Sequence, residues 1–139
     1  MDTRYINDEY ARIGAELIDA EEALIDIKNS QATIIYLSSN HAKQDKGRTI
    51  YGQCEKVQEK YTWGIPADFT ITLFEPNLQG KSAEAIRRII FHELLHVGVE
   101  FNNDGSEAYN VKPHDLEGID THPGTDALFS RWKYRNLKN

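Results

Sequence analysis

Apolar residues recur at spacings of three and four from the N-terminus onward: Ile6, Tyr10, Ile13, Leu17, Ala20, Leu24 and Ile27, with Glu and Asp between them. A helix turns once in 3.6 residues, so this spacing lines one face with apolar side chains and predicts one amphipathic helix over 7–29. Asn7 is suited to cap it, and Asp8 and Glu9 complement the positive end of the helix dipole. The period changes at ATIIYLSS, 32–39, where β-branched and aromatic residues predict a strand. NHAKQDKG, 40–47, reads as a polar connection. TIYGQCEKV, 49–57, suits a second strand, with Gly52 as a bulge or a point of close approach. EKYTWGIP, 59–66, is a loop by its Gly and Pro. DFTITLFE, 68–75, sets Phe69, Ile71 and Leu73 against Asp68, Thr70 and Thr72, the cleanest strand pattern in the chain.

After the turn PNLQGKS, Ser82 can cap a helix running through AEAIRRIIFHELLHVGV, with Glu84 in its first turn. NNDGS, 102–106, is a turn cluster, EAYNV, 107–111, a short strand, and TDALFSRWKY, 125–134, a final helix. Helices and strands in this order predict one α+β domain over 1–139, with helices packed on a sheet of about three to four strands.

Composition narrows the class. Hydrophobic residues make up 40% and charged residues 27%, a globular mix that can bury a core without disulfide staples. The single cysteine, Cys54, excludes an intramolecular bridge and a Cys-based zinc knuckle. No run has the length of a membrane span, and MDTRYINDEY lacks the basic and apolar regions of a signal peptide. The expectation is a soluble protein of the cytoplasm.

The net charge of −6 is uneven. Arg131, Lys133, Arg135 and Lys138 fall in the last nine residues without an acid, which leaves the rest of the chain at −10. That balance argues against a nucleic-acid partner held through phosphates, which needs a basic surface. The basic tail reads as the solvated end of the final helix.

One stretch carries chemistry: His92-Glu93-Leu94-Leu95-His96. Residues four apart lie one turn apart on the same helix face, so both imidazoles can address one metal ion. Glu93 projects onto a neighbouring part of that surface. Zinc lowers the pKa of water it holds toward neutrality, and a carboxylate beside that water can take the proton. A catalytic zinc has three protein ligands as a rule. The metzincin extension would need Gly at 99 and His at 102, where this chain has Val99 and Asn102, so that subclass is excluded. His114 is the preferred third ligand, because the chain can double back after the turn; Glu117, Asp115 and His122 are the alternatives. Tyr109 and Asp115 are weighed as an oxyanion donor and an imidazole acceptor, and each also reads as ordinary packing, capping or surface chemistry.

DFTITLFE, then AIRRIIFHELLHV, then YNVKPHDLEGI together resemble the metallopeptidases found in phage and prophage genomes, a family similar in outline to the SprT-like zinc proteases. Its pattern joins a DFxI-type strand, a HELxH helix and an HDxEE-type segment; here Gly118 stands in place of the second acid. The resemblance covers roughly residues 5 to 120. It implies a minimal zincin-like fold, Zn2+ held by His92, His96 and His114, Glu93 as general base, and a protein or peptide substrate. The rival expectation is a metal-stabilised protein without activity that binds a host or phage partner.

Overall fold

The computed structural model describes residues 1–58 and 67–113. The expected loop at 59–66 with Trp63, the residues His114, Asp115, Glu117 and His122, the final helix at 125–134 and the basic tail lie outside the described residues.

The expected α+β class holds. A first strand, β1 (Arg4–Ile6), leads into α1 (Asp8–Ala20), a 3-10 turn (Glu22–Leu24) and the short α2 (Ile25–Lys28). Then come β2 (Ile34–Ser39), the small hairpin β3 (Gln44–Asp45) and β4 (Arg48–Thr49), β5 (Gly52–Lys56) and β6 (Phe69–Phe74). After a 3-10 turn (Glu75–Leu78) follow α3 (Ala83–Leu94), β7 (Val97–Phe101) and β8 (Glu107–Val111). The main sheet has the order β1-β2-β6-β5, with β2 and β6 parallel and the other pairs antiparallel. β7 and β8 form a separate antiparallel hairpin.

The N-terminal segment is not the single helix that its apolar spacing predicts. Asn7 does cap α1, its side-chain oxygen accepting from Tyr10 N at 3.0 Å, but the chain goes extended at Glu21. Asp19, Glu21 and Glu22 crowd the C-terminal end, where the helix dipole disfavours negative charge, and no base sits in the last turn to offset them. The same acids suit the N-terminal end of the next turn. Tyr10, Leu17, Leu24 and Ile27 stay buried on both sides of the break, so the stripe marks the core even where the helix does not continue.

The core lies between these helices and one sheet face. Tyr36, Phe69, Ile71 and Leu73 meet Leu17, Leu24, Ile90, Phe91 and Leu94 there. β6 is buried at all six positions, Thr70 and Thr72 included, because it is flanked by strands on both sides and Arg4 of β1 donates to Thr72 Oγ1 at 3.2 Å. Tyr10 Oη and Ser38 Oγ both donate to Glu75 Oε2, at 2.5 and 3.0 Å, satisfying a polar cluster where α1 meets β2. No helix among the described residues is long and apolar enough to cross a membrane.

Candidate metal centre

Ser82 caps α3 as its sequence predicts, accepting from Ala85 N at 3.1 Å. The helix ends sooner than expected. Leu94 is its last residue, Leu95 caps it, and Val97–Phe101 is strand rather than helix. The cause lies in the residues: Val97, Gly98 and Val99 are poor helix formers, and alternating β-branched residues suit a pleated strand. His96 therefore stands just beyond the helix, its N–H donating to Glu93 O at 3.0 Å in a tightened final turn.

That tightening keeps the two histidines together. The His92 and His96 rings lie 5.2 Å apart, centroid to centroid, at 76°. Two imidazoles bound through nitrogen at about 2.0–2.1 Å to one tetrahedral zinc would have centroids about 5 Å apart, so the pair fits a shared ion. The carbonyl end of α3 also favours a cation. His92 and Glu93 are 4% and 5% exposed, deep for two ionisable residues in succession. Burying such groups is costly, and apolar packing alone would not call for them here.

Glu93 is confined by the sheet. A Cβ at Gly52 of β5 would lie 3.1 Å from Glu93 Cγ and 3.3 Å from Ile89 Cγ2, so the bare backbone at Gly52 is what lets the helix approach. This is the close approach that the glycine suggests in the sequence. Cys54, two residues along β5, is a half-buried thiol. Burial, and then the charges of Glu93 and Glu55, push it up to about 12.

His96 is held from the other side by the end of the β7–β8 hairpin. Its Nδ1 lies 2.8 Å from Lys112 O, and Lys112 N–H donates to His96 O at 2.7 Å. A carbonyl only accepts, so Nδ1 carries the proton of this bond, and Nε2 is the ring atom left for another partner. A main-chain carbonyl leaves no side-chain signature, which is why this contact is invisible in the sequence.

Tyr109 has other work. Its hydroxyl donates to Glu107 Oε1 at 2.6 Å, its ring packs edge-on against Phe69 at 5.7 Å, and the bonded carboxylate pushes the phenol up to about 12. Among the described residues no group of three His, Cys, Asp or Glu side chains converges as a metal site. His114, the expected third ligand, follows Lys112 by two residues in the sequence.

A family model described as "Putative phage metallopeptidase" matches residues 3–121, most of the chain. No curated protein and no solved structure matches it.

Proposed function

The chain belongs to the phage metallopeptidase family, and from that premise we propose that it is a zinc-dependent peptidase with His92, His96 and His114 as ligands and Glu93 as general base. The observation that carries the reading is the 5.2 Å separation of the His92 and His96 rings, with Glu93, the residue after His92, buried against Gly52. Support for His114 comes from its place in the sequence. The main chain is pinned to His96 at Lys112, and His114 follows only two residues later in the sequence.

Bound zinc would supply the Lewis acid that polarises a peptide carbonyl and lowers the pKa of water. The rest is the chain's own work. Glu93 takes the proton of the attacking water and passes it to the departing amine nitrogen. Its burial against Gly52 limits where its carboxylate can go, so it does not have to be ordered during the reaction. β5 is the outer strand of the main sheet, pairing among the described residues only with β6. An extended peptide laid along that edge gains main-chain hydrogen bonds and runs past Glu93, which suits an unstructured protein substrate.

Glu93→Gln keeps the shape of the side chain and removes the base. Zinc-loaded wild type should cleave an unfolded protein such as reduced casein, and Glu93→Gln should retain the metal and lose at least ~100-fold in rate, the usual scale of general-base catalysis. Equal rates would sink the mechanism.

A further inference from the structure

We infer that the main chain of Lys112 is a positioning device for the metal centre, fixing which nitrogen of His96 meets the ion. The inference rests on the peptidase reading for the metal, but it gives Lys112 a role toward His96 that the reading does not. Two hydrogen bonds join Lys112 to His96: the imidazole Nδ1–H to Lys112 O at 2.8 Å, and Lys112 N–H to His96 O at 2.7 Å. The first holds the ring in one tautomer and one orientation, with Nε2 presented. The second anchors the carbonyl that does so. An imidazole whose other nitrogen is held by an acceptor is a better and better-aimed ligand.

His96 needs such support more than His92 does. His92 is buried within the last turn of α3, so the helix and the core fix it. His96 stands beyond the helix and is only half-buried. The hairpin supplies what the helix does not.

Gly98 lets the hairpin come close enough. It pairs with Asn110, and a Cβ there would lie 2.8 Å from Lys112 Cγ and 2.9 Å from Asn110 O, and closer still to Asn110 Oδ1. Any side chain at 98 must push the end of β8 outward, and Lys112 with it.

The test is zinc affinity, by competition with a chromophoric chelator at fixed pH, on the full-length chain. Lys112→Pro removes the N–H, Lys112→Ala removes only the side chain, and Gly98→Ala displaces the hairpin without touching a ligand. Lys112→Pro should bind zinc 10–100-fold more weakly than Lys112→Ala, with Gly98→Ala weakened in the same direction. Equal affinities for Lys112→Pro and Lys112→Ala would overturn the inference and leave the peptidase reading standing. A wild type that takes up no zinc would overturn both. Should Lys112→Pro fail to fold, the metal-free wild type still decides. Long-range nitrogen-15 NMR should find neutral His96 as the Nδ1–H tautomer, and a dominant Nε2–H form would refute the clamp.

Discussion

Gly14 sits mid-way along α1, where helix propensity alone says that alanine should improve the protein by about 1 kcal/mol. The structure gives the opposite sign. A Cβ at Gly14 would lie 2.6 Å from Tyr36 Cε2, and closer still to Cζ and Oη, where ordinary contacts are about 3.5–4.0 Å. The overlap is therefore about 1 Å or more against a ring that is itself only 5% exposed in β2. The ring cannot swing into water, so the helix must lift or the ring must leave its rotamer. Overpacking of this size costs about 3 kcal/mol, which leaves a net loss of about 2 kcal/mol once the propensity gain is subtracted. Urea denaturation followed by circular dichroism should move the midpoint down by about 1 M, taking a slope of about 2 kcal/mol per molar. A double-mutant cycle sharpens the test. In a Tyr36→Ala background the clash is gone, and Gly14→Ala should become stabilising by about 1 kcal/mol. If Gly14→Ala is at least as stable as wild type on its own, the α1–β2 packing is wrong.

Tyr10→Phe deletes the 2.5 Å bond to Glu75 while Ser38 keeps its own, so the loss should be about 1–2 kcal/mol in the same urea assay; no change would mean the carboxylate is not held there. Cys54 makes a prediction about alkaline pH. Its thiol is pushed up to about 12 in the folded chain against about 8.5 unfolded, so above pH 8.5 the unfolded state holds fewer protons and stability falls with pH toward 12. Urea unfolding of wild type and Cys54→Ala at pH 7, 9 and 10 should show a steeper decline for wild type, and parallel curves would contradict its burial. Native Cys54 should also resist a thiol-specific disulfide reagent at pH 8 until the chain is unfolded, because the thiolate is the reactive form.

Much of the frame is legible in the sequence where one physical rule acts alone. Phe69, Ile71 and Leu73 alternate, and β6 is there; Asn7 and Ser82 precede apolar-periodic runs, and both cap helices. The turn at 102–106 and the strand after it also stand where Gly, Asn and the β-formers put them. The reading slips where two rules compete. The stripe from Tyr10 to Ile27 continues in space, but the acids at 19–22 end the helix within it. The apolar run through Val97 and Val99 has helical spacing, yet their β-branching and Gly98 decide for strand. β1 is three residues with exposed side chains and carries almost no pattern, so only its pairing with β2 defines it. At the candidate site, His92, Glu93 and His96 are legible because the pattern lies in their side-chain types and spacing. Lys112 is not, because it acts through its carbonyl and N–H.

The most direct test of the account is zinc content and affinity, by elemental analysis and chelator competition, for wild type beside His114→Ala. The account predicts about one zinc per chain for the wild type and a weakened or lost site in the variant, as a three-histidine centre requires. A wild type that neither carries nor takes up zinc would reduce His92 and His96 to two neighbouring imidazoles at a helix end, and the proposed peptidase would go with them.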